Sequence, residues 1–308
     1  MFVVVILTSF SLHAQDKNYE EWYLITKDKQ RIFVKELGKG RDTLIIVHGG
    51  FGANHEYMID ISEGLEKKYH FVFYDQRGSL LSPVSDSVIN FQKNVDDLLS
   101  LTNALKIKNA KLVCHSMGTL VGMEFQKQHP DLVEKLILIG SIYIKADSSE
   151  SIFSEQMVKN IQWLESQKKY TDLIAKYEIR KNELTDKEKT ELWRIQFACA
   201  NIYNVDKWKL MKGGWAYYNG KAGSLMSQSF NFSYDYSRSL TKNEFSTTII
   251  QGQYDFLDFN AKKHKDAIGN LPINLVIIQN AGHNIWIDQP EMFRREFIKA
   301  LRSKNASH

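Results

Sequence analysis

Short apolar runs recur along this chain, and most of them lead into a residue type that can do chemistry. Thr43–Val47 (TLIIV) runs into His48-Gly49-Gly50, Phe71–Tyr74 into Asp75, Lys111–Cys114 into His115-Ser116, Thr247–Gln251 (TTIIQ) into Gly252, and Asn274–Ile278 (NLVII) is followed by Ala281-Gly282-His283. Leu136–Ile139 (LILI) is a further run. Runs this short and continuous suit strands covered on both faces, because a strand with one wet face alternates apolar and polar residues. Between the runs the spacing becomes helical. Asn54 can cap a helix with Met58, Ile61 and Leu65 on one face, and Asn90 one carrying Phe91, Val95, Leu98, Thr102 and Leu105. Met117–Gln128 is a third helix, stopped by His129-Pro130. At the front, Trp22–Thr26 and Arg31–Leu37 flank Lys27-Asp28-Lys29 as a hairpin. Alternation of this kind predicts an α/β fold: a mostly parallel central sheet with helices on both faces.

The alternation stops at about Ser141 and resumes after Leu240. Thr185-Asp186-Lys187-Glu188 is a capping-box pattern opening a helix through Trp193 and Phe197, and Gly213-Gly214 ends another. A last helix begins at Pro290 and packs Phe293, Phe297 and Leu301. The expected layout is a core in two parts, residues 15–140 and 241–308, with a helical cap at 141–240 inserted after the sixth strand. Ligands in open α/β sheets bind outside the carboxyl ends of the strands. A cap at this point of the chain lies over that site.

Composition removes several classes. Lys and Arg (40) exceed Asp and Glu (36) by only four and form no basic tract, which gives nucleic-acid binding no support. Two cysteines make neither a disulfide framework nor a four-thiolate zinc site, and no HExxH, Walker loop or strand-linked GxGxxG occurs. No metal or organic cofactor is implied. Phe2–Leu12 (FVVVILTSFSL) is far shorter than the roughly 20 residues that span a bilayer. It resembles a signal peptide cut after Ala14, which predicts export to a periplasm or the medium; without it the chain is cytoplasmic. The alternative is a buried N-terminal strand built on Val3-Val4-Val5.

Cys114-His115-Ser116-Met117-Gly118 follows a strand and opens a helix. A serine on that sharp turn is pushed out of the sheet with its hydroxyl exposed, and small flanking residues relieve the crowding. The usual first glycine is here Cys114. Two later strand ends add an acid, Asp255 in Gly252-Gln253-Tyr254-Asp255, and a base, His283. The chain order Ser, Asp, His predicts a triad in which His283 takes the Ser116 proton and Asp255 holds the imidazole. Asp258 is the second candidate acid. His48 and His115 read as supports of their turns, with His55, His129 and His264 as weaker bases. The Gly50 N–H, beside bare glycine backbone, pairs with the Met117 N–H as an expected oxyanion hole.

HGGFG at 48–52, DQRG at 75–78, CHSMG at 114–118, GQYD at 252–255 and AGH at 281–283 together resemble the α/β-hydrolase superfamily, and within it the proline iminopeptidase-like branch. The resemblance covers nearly the whole chain after residue 16. It implies the same triad and oxyanion hole, release of an N-terminal residue, typically proline, from a peptide, and cap carboxylates that hold the free amine. It also implies that Asp75 and Arg77 form a turn-building ion pair. The chain departs from the branch at Phe51, at Ser79-Leu80-Leu81-Ser82 and at Cys114, and it lacks the branch's Trp-x-x-Trp-Glu element.

Residues 141–240 hold four of the six tryptophans, Trp163, Trp193, Trp208 and Trp215. Such a cap either walls an apolar acyl site or needs aromatics for its own small core. Glu178, Glu183, Glu191, Asp206 and Asp235 are the acids available to an amine there. The alternatives are a carboxylesterase or lactonase on small apolar esters and a non-catalytic binding protein. Haloalkane or epoxide opening needs Asp in place of Ser116. The partner in either enzymatic case is a small molecule or short peptide. Cys114 and Cys199 read as unpaired.

Overall fold

The computed structural model describes residues 19–180, 182–212, 218–241 and 246–303, so the N-terminal apolar segment, Gly213-Gly214 and Trp215 lie outside the described residues. The strands of the main sheet are β1 (Tyr19–Ile25), β2 (Arg31–Leu37), β3 (Asp42–Val47), β4 (Tyr69–Tyr74), β5 (Ala110–His115) and β6 (Val133–Ile139). After β7 (Lys145–Ala146) and β8 (Tyr234–Asp235), which pair only with each other, it is completed by β9 (Ser246–Gly252) and β10 (Asn274–Ile278). The sheet order is β1-β2-β4-β3-β5-β6-β9-β10. β1 and β2 join it antiparallel, and every pair from β4 onward is parallel. Parallel neighbours put the ends of β3, β5, β9 and β10 on one edge, where the glycine loop, Ser116, Asp255 and His283 follow.

Alternate residues of the central strands enter opposite cores. Ile45, Val47, Leu112, Cys114, Leu136 and Leu138 face one side, and Leu44, Ile46, Val113, Ile137 and Ile139 face the other. The first core is closed by α1 (Phe91–Ala104) and α2 (Gly118–Gln128), through Val95, Leu98, Leu120 and Phe125. Asn90 caps α1 by accepting from the Lys93 N–H. The segment after Asn54 is a 3₁₀ helix, His55–Ser62, with Asn54 accepting from the Glu56 N–H.

The insertion after β6 carries α3 (Ser149–Ile152), α4 (Glu155–Glu165), α5 (Lys168–Glu178), α6 (Asp186–Asn201), α7 (Gly220–Ser229) and α8 (Ser237–Thr241). The capping box at Thr185 and Glu188 forms at the start of α6. Its only described strands are β7 and β8, two exposed or half-buried residues each. Past β9, α9 (Lys262–Ile268) precedes β10. The last described elements are α10 (Ile285–Asp288) and α11 (Pro290–Arg302), and Phe293, Phe297 and Leu301 of α11 close the second core. Burying each such side chain is worth roughly 1.5–3 kcal/mol. No helix among the described residues is long and apolar enough to cross a membrane.

Among the ties between cap and core, two lie close to the strand-end loops. Asn219, which caps α7, donates its N–H to Gly52 O at 2.8 Å and its side-chain amide to Gly78 O at 2.9 Å. At the end of α6, Asp288 takes the N–H groups of Tyr203 (2.7 Å), Asn204 (3.0 Å) and Gly282 (2.8 Å). A side chain on Gly282 would lie 2.8 Å from Tyr203 N, so only glycine allows this approach.

Candidate active site

Ser116 stands where β5 turns into α2, with φ +52, left-handed backbone that a side chain rarely adopts. Its N–H goes to Ile139 O at 3.1 Å and its carbonyl accepts from Thr119. The turn is packed tightly enough to need its glycines. A Cβ on Gly118 would meet His48 O at 2.4 Å, and one on Gly49 would meet the Ser116 Cβ at 2.5 Å.

Asp255, fully buried after β9, accepts the Leu257 N–H on Oδ1 at 3.0 Å and the His283 Nδ1–H on Oδ2 at 2.8 Å. That bond leaves Nε2 of His283 as the ring's basic nitrogen. Ser116 and His283 line one cavity of about 260 Å³. No hydrogen bond joins Ser116 Oγ to His283 Nε2 in this structure, and neither atom bonds any other described residue. Such contacts commonly tighten only when substrate is bound.

The N–H groups around the serine divide cleanly. Those of Ser116 and Gly49 are used, by Ile139 O and the Tyr57 hydroxyl. Those of Gly50 and Met117 have no acceptor among the described residues, and both residues line the cavity. Gly50 has φ +65, a conformation suited to glycine.

The second candidate acid is committed elsewhere. Asp258 Oδ2 takes both the N–H and the Nδ1–H of His264 at 2.9 Å, and His264 Nε2 meets Ser141 O at 3.0 Å. His55 is likewise bound to Asp75. His48 accepts the Gln76 N–H at 3.0 Å and donates from Nδ1 to Gly49 O at 2.9 Å, and burial lowers its proton affinity. His129 does not line the cavity.

The expected pair of Asp75 and Arg77 does not form. Successive side chains here leave the strand end in different directions. Asp75 accepts from His55 and from the Leu81 N–H, whereas Arg77 forks onto Asp97 of α1 at 2.6 and 2.8 Å and onto Asp28 of the β1–β2 turn at 2.7 Å. Both remain turn-building, through different partners.

The cap supplies the aromatic wall. Trp193 and Phe197, stacked at 5.0 Å on α6, line the cavity with Tyr218, and Phe256 adds a ring from the core. Trp208 is instead buried in the second core, which cap and sheet share, and Trp163 stacks on Tyr254 of the core, so these two cap aromatics pack against the body of the protein rather than wall the cavity. None of the five candidate amine anchors lines the cavity: Glu191 takes the Tyr177 hydroxyl and Asp206 pairs with Lys169. Tyr57, Asn201 and Asn284 line it without any motif announcing them; Asn284 was within reach only as the neighbour of His283. Cys114 and Cys199 are both free and lie in opposite cores.

Residues 42–290 match the alpha/beta hydrolase fold family, and the chain belongs to it. Among curated proteins it is 21% identical to a putative carbamate hydrolase of Rhizobium rhizogenes, over 85% of this chain and 93% of that one. Among solved structures it resembles a proline iminopeptidase-related protein from Thermus thermophilus, with TM-score 0.68 and 19% identity over 93% of this chain and 98% of that one. An esterase from Exiguobacterium antarcticum aligns with TM-score 0.62 and 18% identity, over 92% and 100% of the two chains. At these identities the structural likeness speaks to the fold.

Proposed function

We propose that this chain is a serine hydrolase that cleaves small uncharged esters with an apolar acyl group. The observation that carries this reading is the cavity wall. Beside Ser116 it presents Met117, Trp193, Phe197, Tyr218 and Phe256, and no carboxylate among the described lining residues. Its lysine, Lys212, is already paired with Asp60 at 3.0 Å. An aminopeptidase has to hold a substrate ammonium, and desolvating that charge without an anion is costly.

In this reading Ser116 Oγ attacks the ester carbonyl while His283 Nε2 takes the hydroxyl proton. The oxyanion is held by the N–H groups of Gly50 and Met117, each worth roughly 10²–10³ in rate. Collapse breaks the ester C–O bond, and His283 gives its proton to the departing alcohol. Water then repeats the sequence on the acyl-enzyme and releases the acid. Asp255 holds the imidazole by its Nδ1–H and stabilises the imidazolium.

The second reading is release of an N-terminal proline, favoured by the HGGFG and DQRG motifs. A paired assay separates the two: a short p-nitrophenyl ester against a prolyl arylamide, with Ser116→Ala as blank. We expect ester cleavage that the variant loses, with its fold unchanged. Arylamide cleavage abolished by blocking the amine would move the assignment to the aminopeptidase. Turnover surviving in Ser116→Ala would overturn the mechanism. Export rests on the N-terminal apolar segment alone, and N-terminal sequencing of protein recovered outside the cytoplasm tests it: a start at Gln15 is expected.

A further inference from the structure

The proposed chemistry needs three loops in register: the one after β3 with Gly50, the one after β5 with Ser116, and the one after β10 with His283. One hydrogen-bond chain runs through all three. The Gly49 N–H donates to the Tyr57 hydroxyl at 2.7 Å. That hydroxyl lies 2.8 Å from His115 Nδ1. The other ring nitrogen, His115 Nε2, lies 3.2 Å from the carbonyl oxygen of His283. Each link sits on, or directly beside, a residue of the proposed machinery.

Counting protons leaves one arrangement. The His283 carbonyl only accepts, so His115 carries its proton on Nε2. Nδ1 is then a bare acceptor, and the Tyr57 hydroxyl donates to it. The same oxygen accepts the Gly49 N–H. Every polar atom in the chain is satisfied, and the arrangement requires a neutral His115, whose proton affinity is held well down by burial. The packing fixes the rings as well. His115 lies 5.4 Å from the Tyr57 ring, 5.0 Å from Trp286 and 4.5 Å from His283. A Cβ on Gly49 would come within 3.1 Å of the Tyr57 hydroxyl.

We propose that Tyr57 is a positioning residue: its hydroxyl, acting through His115, locks the oxyanion loop, the nucleophile turn and the base loop into one register. This rests on the serine-hydrolase reading of the same cavity. Tyr57 comes from the 3₁₀ segment His55–Ser62 and belongs to none of the motifs.

The test is Tyr57→Phe in the full chain, which keeps the ring and removes the hydroxyl. With a p-nitrophenyl ester we expect kcat to fall about 10- to 100-fold, as for a misplaced rather than missing catalytic group, with KM within about threefold. A boronic acid, which mimics the tetrahedral species, should lose affinity by the same factor as kcat/KM. A purely structural role would lower Tm without that parallel. His115→Asn is the second variant. It loses the reach to the His283 carbonyl, and the double variant should be no more than about threefold slower than Tyr57→Phe, because the two act as one unit. Parental kcat and boronate affinity in Tyr57→Phe, or multiplicative losses in the double variant, would overturn the proposal. If Tyr57→Phe does not fold, His115→Asn decides alone: a kcat loss of tenfold or more supports it, and parental kcat overturns it. Activity surviving in Ser116→Ala would instead sink the underlying hydrolase reading.

Discussion

Asp255 and Asp258 lie three residues apart on one turn, and each holds a buried histidine through Nδ1, at 2.8 and 2.9 Å. By that distance the two pairs are indistinguishable. They differ at the far side of the ring. His264 Nε2 is closed off by Ser141 O at 3.0 Å, whereas His283 Nε2 meets no described residue and His283 lines the cavity with Ser116. A histidine–carboxylate pair is therefore not by itself a sign of chemistry. One pair joins α9 to the strand end after β6; the other leaves Nε2 without a described partner, on a ring that lines the same cavity as Ser116.

The largest effect that would break this comparison is in the two acids. Asp255→Asn should lower kcat roughly 10³–10⁴-fold, the loss expected when an imidazole is left in the wrong tautomer. Asp258→Asn should leave kcat within about threefold and cost about 1–3 kcal/mol of stability, because one buried acceptor for two N–H groups is weakened. Steady-state kinetics with thermal unfolding on both variants decides it. Equal kinetic losses would mean that the open Nε2 does not distinguish the pairs.

The sheet and the three groups of the proposed triad were legible because each sits at a strand end, where local sequence marks both the strand and the turn. Ser116 has Cys114 and Gly118 two residues to either side, His283 follows Ala281-Gly282, and Asp255 follows Gly252 by three. The partners of Asp75 and Arg77 were not legible. Nearness in sequence suggested a pair, while the acids that meet Arg77 come from 49 residues before it and 20 after. Tyr57 carried no signal for the same reason, since its contacts at Gly49 and His115 depend on β3 and β5 being neighbours. The Asn54 cap predicted where a helix starts but not that it would be 3₁₀. The second histidine pair was also invisible, because α9 itself gave no clear pattern and Ser141 is 123 residues from His264.

A third buried carboxylate sharpens the contrast, because it has no histidine at all. Asp288 is 5% exposed and its carboxylate spans three backbone N–H groups, two on the cap and one beside His283. Asp288→Ala strands those donors and should cost about 2–4 kcal/mol. In a chain this size that lowers Tm by several degrees. The kcat of the surviving folded protein should drop less than tenfold, far less than for Asp255→Asn. A kinetic loss as deep as that of Asp255→Asn, at unchanged Tm, would put Asp288 among the reacting groups.

The smallest expected effect concerns the thiol two residues before Ser116. Cys114 stands where the usual elbow has glycine, and its Sγ fills the space a Cβ on Gly122 would need, 2.4 Å from that position. Cys114 is fully buried, and burial raises its thiol far above the ordinary range, so it is unreactive at neutral pH despite its neighbour. Cys114→Gly should keep kcat within about threefold and cost about 1–2 kcal/mol for the gap it leaves. Gly122→Ala alone forces Cβ onto sulfur and should cost about 1–3 kcal/mol. Together they exchange one small side chain across the same contact, so the double variant should be more stable than the sum of the two losses by at least about 1 kcal/mol. Additive losses in chemical denaturation would mean that the two positions do not share that space. A deep kinetic loss in Cys114→Gly alone would mean that the thiol shapes the serine turn itself, and the separation between reactive and structural groups at this strand end would have to be redrawn.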